Sequence, residues 1–423
     1  MNLKMNKTNY FNKIKSILYI LVPSICFGFW AIINLIRLNF VIPDNIQDFT
    51  VFYNSGKQIL IDPSQLYNIV GYFYLPSFAA LFSISISLFP FTIAYYIFYV
   101  FNYIFGVLAI IEFNKILLLM GLRKKIFRFI FIMIIFNGYF AYYIFRFNQT
   151  KFIVCLILLF IIRRELQFKK YKKVKNFSYN LINYSLFVFA IAIAPSFIFF
   201  LLIYIFHDIQ MKSIFKKENL QIYCIVIFMF IIQNFLFVIY PSLLVRYLDG
   251  FSYIHIHGSH GIQLFYLREW FFPSYDERII LSIIFTTILI ISCLILILNK
   301  NLTLEKKFGY FSIFYLFTGV YSYQIFVLLI LFSFIVLLII PYLNQEEKGI
   351  DILKKNILPF IGLLLILIIN FMPPDFVIYE FFPILQTIPF VFFVNLRWLI
   401  LASIMVLVLI ILHLKKHMDI KSA

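Results

Sequence analysis

The residues best suited to chemistry first appear in Asn39 to Pro76, NFVIPDNIQDFTVFYNSGKQILIDPSQLYNIVGYFYLP, where Asp48 opens the acidic and aromatic cluster DFTVFY. A carboxylate walled from water by aromatic rings can act as a general base, taking the proton of a hydroxyl while its oxygen attacks an activated carbon. The same aspartate could instead be solvated or cap a helix. Tyr53, Tyr67, Tyr72 and Tyr74 in this stretch offer flat faces on which a sugar could stack. Most of the 29 tyrosines and 57 phenylalanines, however, belong to core or lipid-facing surface. A second group stands in YIHIHGSHG, where His255, His257 and His260 are close enough in sequence for imidazoles to converge on a metal. No nearby carboxylate or cysteine completes a coordination sphere, so a polar or pH-sensitive loop is the plainer reading. Arg268 could anchor a helix end at an interface. Glu112 and Asn102 lie in or near an apolar run, where polar groups attract functional suspicion, but Glu112 falls at a cytoplasmic end and reads as structural.

These residues must be held by membrane helices. With 63% hydrophobic residues, 13% charged residues and a mean hydropathy of +0.97, the chain is far more apolar than a soluble domain. Its 423 residues accommodate about twelve spans and leave no room for a soluble domain. The expected fold is therefore all-α and integral to the membrane, a single polytopic domain over 1–423. Its extracytoplasmic loops are expected at 37–75, 241–278 and 373–395. Cys26, Cys155, Cys224 and Cys293 all fall in apolar runs and read as small core residues.

The net charge of +18 is not a nucleic-acid signature, because of where the charge sits: 28 of the 36 basic residues fall in segments assigned to the cytoplasm. That is the positive-inside bias, with attraction to anionic headgroups of membrane lipids. It places both termini in the cytoplasm. The first apolar run, Ser16 to Ile36, is longer than a signal-peptide core and is expected to remain as a helix. Pro76 to Pro90 is too short to cross and is expected to be interfacial or re-entrant, leaving the crossing to Phe91–Ile111. Ile126–Phe145 should cross outward, turn at RFNQTK and return as a short span over 152–162. The run 178–206 should be two short helices meeting at Ala194-Pro195, followed by full spans at Ile222–Tyr240 and Ile279–Leu298. A further break is expected at Thr318–Gln324, and a last pair of spans at 357–371 and 396–412. Short and broken helices of this kind point to an outward-facing hollow.

The order DFTVFY, GKQILIDPSQLYN, YFYLPSFAALFSISISLFPFTIAYYIFYVFN resembles the start of the glycosyltransferase family 87 mannosyltransferases. In that family Asp-Phe-x-x-Tyr-Tyr is followed by Leu-Tyr, Phe-x-Tyr-Pro-Pro, a Leu-Pro and an aromatic helix. The likeness covers about the first third of the chain. Further on, the family's Gly-Gln-x-Asn turn is approximated by Phe147-Asn148-Gln149-Thr150, and its Lys-Pro junction by Ala194-Pro195, where the lysine is missing. A later Gly-Asn-Gln-Ser-like motif with a following arginine is approximated by His260-Gly261-Ile262-Gln263-Leu264 and Arg268. The resemblance implies a GT-C fold and a polyprenyl-phosphate sugar donor entering from the bilayer. It implies a lipid or glycan acceptor, Asp48 as catalytic base, and Tyr53, Tyr67, Tyr74, Asn148, Gln149, His257, His260, Gln263 and Arg268 as substrate-binding residues. Histidine and arginine would steady a departing phosphate. No cofactor, metal or nucleic acid is expected, since a lipid monophosphate has no diphosphate for a divalent ion to bridge. The competing class is a polytopic transporter or lipid flippase, which shares many spans and broken helices but often carries internal repeats and midplane charges.

Overall fold

In the computed structural model, residues 2–37, 47–72, 74–146, 148–171, 177–208, 217–257 and 275–318 are described, together with 336 and 340. In chain order the α-helices are α1 (Asn2–Arg37), α2 (Gln47–Ile61), α3 (Pro76–Ser85), α4 (Phe91–Leu119), α5 (Lys125–Phe136), α6 (Tyr139–Arg146), α7 (Lys151–Tyr171), α8 (Phe177–Ile193), α9 (Ile198–Asp208), α10 (Lys217–Gln233), α11 (Phe235–Ile239), α12 (Pro241–His257), α13 (Tyr275–Leu298) and α14 (Leu304–Thr318). Short 3-10 turns cover Pro63–Asn68 and Pro195–Phe197, and no strand occurs among the described residues. The all-helical architecture expected from the apolar runs is thus observed.

Two of the described helices are long and apolar enough to cross a membrane, α1 through Leu18–Ile36 and α4 over its whole length. Their outward faces are apolar too: Leu21, Ile25, Phe29, Ile32 and Ile36 on α1, and Ile93, Val100, Ile104 and Leu108 on α4, are all exposed. A bilayer gives such faces a favourable neighbour, whereas water would not. The α3 helix, ten residues long, rises only about 15 Å against a hydrocarbon core of about 30 Å.

The chain divides into two compact units, Met1–Pro195 with Ile225–Leu243, and Ser196–Cys224 with Leu244–Ala423. In the first unit α4 lies at the centre, packed against α1, α5 and α7. Gly106 permits the α1 crossing, because a Cβ there would stand 2.2 Å from Phe27 Cζ. Asn34 on α1 donates to the Phe145 carbonyl at 3.2 Å, and the Tyr99 hydroxyl on α4 donates to the Ala31 carbonyl at 2.8 Å. Such pairs join helices where apolar packing alone has little preference for one neighbour over another. In the second unit Phe200 of α9 packs edge-on against Phe308 and Phe311 of α14, and the Cys293 thiol of α13 lies 3.9 Å from the Phe199 carbonyl.

Three expected spans differ in the structure. The run 126–145 is two helices, α5 and α6, separated at Asn137 and Gly138. Trp30 Nε1 donates to the Asn137 carbonyl at 3.0 Å, and Asn137 Nδ2 donates to the Pro23 carbonyl at 3.3 Å, so α1 supplies partners at the break. The run 222–240 is likewise divided, into α10 and α11, at Asn234, whose Nδ2 donates to the Phe230 carbonyl at 3.0 Å and competes with the helical ladder. The short return over 152–162 becomes the 21-residue α7, because RRELQFKKY is rich in strong helix formers and continues it. The break at Ala194-Pro195 falls where proline removes a donor: α8 stops at Ile193 and α9 starts at Ile198. Thr318, the first residue of the break expected at 318–324, is still helical in α14, and the rest of that break, with the last pair of spans, lies outside the described residues.

Candidate functional site

Asp48 stands in the first turn of α2 and is half-buried. A carboxylate there meets the positive end of the helix and its unpaired N–H groups, which favour the anion. The helix is fixed by one apolar face. Phe49 is wholly buried against Tyr95 and Phe91, and Phe52 against Phe78 and Phe82, the spacing of adjacent turns. Each ring contributes roughly 2–3 kcal/mol of burial. Gly56, one turn further, lets α2 cross α3 backbone to backbone, since a Cβ there would meet Ser87 Oγ at 2.2 Å and Ser83 N at 2.9 Å.

The partner of Asp48 comes from a turn 101 residues later, where Gln149 Nε2 donates a hydrogen bond to Asp48 Oδ2. That turn is built around Asn148, the one non-glycine residue with positive φ among the described residues, at 46°. Its N–H bonds to the Phe145 carbonyl at 3.2 Å, and the next N–H, of Gln149, reaches back to the Ile144 carbonyl at 3.0 Å. This pairing is the Schellman termination of α6, and asparagine is the best substitute for glycine in its left-handed position. The Asn148 side chain is fully buried, accepting from Asn102 Nδ2 at 2.8 Å and donating to the Tyr95 carbonyl at 3.2 Å. Asn102 therefore serves α4 and the turn as a structural link. Gln149, held between this termination and the start of α7, is 5% exposed, and its Oε1 has no hydrogen-bond partner among the described residues. The buried Thr150 hydroxyl is in the same condition.

Lys151, the first residue of α7, completes the group. Its Nζ lies 5.8 Å from the centre of the Tyr74 ring. Burial pushes its ammonium below the ordinary lysine value, while the Asp48 charge pulls it back up. The site thus combines a carboxylate, an amide bonded to it, and a lysine. Lys151 is not among the site residues expected from the sequence, although it stands in RFNQTK two residues beyond Gln149.

The tyrosines divide by how their hydroxyls are used. Tyr53 is buried and donates to the Phe89 carbonyl at 2.8 Å, fastening α2 to the entry of α4. Tyr67 donates to the Tyr74 carbonyl at 2.9 Å, and Tyr72, also buried, donates to the Leu75 carbonyl while accepting from Ala79 N. Tyr74 is half-buried, with its ring against Phe52 and Phe78 and beneath Lys151. Asp62 caps the Pro63–Asn68 turn, accepting from Ser64 N and Oγ at 3.0 and 2.6 Å. No known family model matches the chain, and neither does any curated protein. Of the remaining expected site residues, His257 closes α12 with only its backbone described, and His260, Gln263 and Arg268 lie outside the described residues.

Glu112 is 8% exposed and bridges two basic side chains. Lys115 Nζ is 2.8 Å from its Oε1, and Arg163 Nε of α7 bonds to its Oε2. Arg163 in turn donates to Gln167 at 2.7 Å. This is a lock between α4 and α7, in keeping with the structural reading of Glu112.

Proposed function

We propose that this protein is an integral membrane glycosyltransferase of the GT-C type, moving a hexose, mannose in the resembling family, from a polyprenyl phosphate to an acceptor hydroxyl on the extracytoplasmic face. In this reading the chain crosses the membrane about twelve times with both termini cytoplasmic, and the turn ends bearing Asp48 and Gln149 face the outside. The observation that carries it is the Gln149 to Asp48 hydrogen bond, which joins the two segments matched to the family's acidic motif and its Gln-containing turn.

Asp48 would take the proton of the acceptor hydroxyl as the acceptor oxygen forms a bond to the anomeric carbon. The bond from that carbon to the phosphate oxygen breaks on the opposite face, so the anomeric centre inverts and the lipid phosphate leaves with the electron pair. The Gln149 amide holds the carboxylate in one orientation, and its buried Oε1 offers an acceptor that a bound hydroxyl can satisfy. Lys151 supplies positive charge beside the base, suited to a phosphate that gains charge on departure. His257, His260, Gln263 and Arg268 are further proposed contacts for that phosphate.

The broken helices at Asn137, Ala194 and Asn234 also suit a transporter or flippase, whose sites form where helices are discontinuous. One experiment separates the two. Purified protein is reconstituted with labelled polyprenyl-phosphate-mannose and membrane glycolipids, and the products are resolved by mobility. Transfer to a glycolipid is expected, with Asp48→Asn lowering turnover by about 100- to 10,000-fold. Asp62→Asn should leave turnover near wild type because Asp62 serves only its local turn. Label that changes leaflet without a new product, or an Asp48→Asn protein with full turnover, overturns the proposal.

A further inference from the structure

Both halves of the Asp48–Gln149 pair take their places from one stretch of α4. On the Asp48 side the next residue, Phe49, sets its ring edge-on to Tyr95 at 5.2 Å and stacks on Phe98 at 5.9 Å. On the Gln149 side the preceding residue, Asn148, has its amide held at both ends by the same helix. Its Oδ1 accepts from Asn102 Nδ2 at 2.8 Å, and its Nδ2 donates to the Tyr95 carbonyl at 3.2 Å. Tyr95 and Asn102 stand two turns apart on one face of α4. Helical carbonyls point toward the C-terminus and side chains lean toward the N-terminus, so the Tyr95 carbonyl and the Asn102 amide converge on the space between them. The Asn148 amide fills that space.

Stability does not account for an asparagine at 102. The residue is fully buried, and its Oδ1 has no hydrogen-bond partner among the described residues. An orphaned buried carbonyl costs more than a polar pair between membrane helices returns, and leucine, of nearly the same shape, would carry neither the cost nor the bond. What the amide supplies is direction. With the Asn148 side chain pinned and its φ at 46°, the chain leaves the turn along one course. The Gln149 N–H is committed to the Ile144 carbonyl at 3.0 Å, and the Gln149 side chain is delivered to Asp48 Oδ2. We propose that Asn102 is a positioning residue for Asp48, acting through Asn148 and Gln149 to hold the carboxylate ionised and in one orientation. Its consequence for turnover rests on the sugar-transfer reading, whereas its effect on the carboxylate does not.

The test couples a small amine to the carboxyl groups of the purified protein with a carbodiimide and reads each position by peptide mass spectrometry. A carboxylate that keeps its amide donor stays ionised and reacts slowly, and one that loses the donor is more easily protonated and reacts faster. Asn102→Leu should raise coupling at Asp48 several-fold, while Asp62, just beyond α2, and Glu112, on the same helix as Asn102, stay at wild-type levels. Gln149→Leu should raise it as much, and the double variant no further, because the two act along one path. The thermal midpoint of Asn102→Leu should stay within about two degrees of wild type, since one orphaned acceptor, Asn102 Oδ1, is exchanged for another, Asn148 Oδ1. In the transfer assay kcat should fall about 10- to 100-fold with the KM for the donor little changed. Unchanged coupling at Asp48, an equal rise at Asp62 and Glu112, additive effects in the double variant, or full turnover would each overturn the proposal. A wild type that transfers no sugar defeats the transfer reading, and the coupling result still decides the role of Asn102. Should Asn102→Leu fail to fold, Asn148→Gly breaks the same bond from the other side without straining φ, and the same outcomes are read from it.

Discussion

Replacing Asn148 by glycine and by alanine separates the backbone conformation of the turn from the bonds its side chain makes. Glycine keeps the φ of 46° without strain but deletes the bonds to Asn102 and to the Tyr95 carbonyl. Alanine deletes the same bonds and also forces a Cβ into the left-handed region, adding about 1 kcal/mol. The bond loss leaves the fully buried Asn102 amide without its acceptor. A stranded buried donor costs about 1–3 kcal/mol in a soluble interior, while polar pairs between membrane helices average nearer 0.6 kcal/mol. Asn148→Gly should therefore cost about 1–3 kcal/mol and Asn148→Ala about 2–4 kcal/mol. With about 2.1 cal/mol/K of unfolding entropy per residue over 423 residues, 1 kcal/mol moves the midpoint by roughly 1 °C. Paired thermal scans on tryptophan fluorescence should rank wild type above glycine above alanine. Trp30 is a suitable reporter, being bonded to the α5–α6 break. Equal midpoints for the two variants would refute the strain argument, and wild-type midpoints for both would refute Asn148 as the organiser of the turn.

Gly106→Ala should lower the midpoint by the equivalent of about 1–3 kcal/mol through overpacking against Phe27, and Phe27→Leu in the same chain should recover part of it. Glu112→Ala should cost about 3 kcal/mol by stranding Arg163, whereas Glu112→Leu with Arg163→Met should be far milder, as a thermal double-mutant cycle would show. Lys151 has its folded-state pKa below the ordinary 10.5. In the window between the folded and unfolded values the unfolded chain binds more protons, so stability rises with pH as 10.5 is approached. Lys151→Met should remove that rise in alkaline melting curves, and the proposed role predicts a larger loss in use of the polyprenyl-phosphate donor than in acceptor use.

How far the sequence discloses this structure depends on whether the signal is local. The break at Ala194-Pro195 is legible because proline cannot donate to the ladder whatever surrounds it. The breaks at Asn137 and Asn234 sit inside runs whose hydropathy is uniform, and what divides them is one asparagine amide in each case, bonded to Pro23 or to Phe230. The Asn137-Gly138 dipeptide was the available signal. Asp48 and Gln149 could each be singled out from motif order, but their meeting across 101 residues is a tertiary fact that no local period encodes. The tyrosine hydroxyls show the same limit: nothing in YNIVGYFYLP says that Tyr67 and Tyr72 bond to backbone carbonyls, or that the Tyr74 ring lies beneath Lys151.

The start of α3 is tied in a way that sets an order of events during synthesis. Leu75 N donates to the Ala192 carbonyl at 3.2 Å, a bond between residues 117 positions apart. At about 5–20 residues per second, the ribosome delivers Ala192 roughly 6–23 seconds after Leu75. The bond from Gln149 to Asp48 waits nearly as long. The helix that carries the carboxylate is thus made well before its partner arrives, so a nascent chain arrested before residue 149 would hold Asp48 without its amide. The group of Asp48, Gln149 and Lys151 has all its members only once α7 has begun, and the tie at the start of α3 waits longer still, for the end of α8.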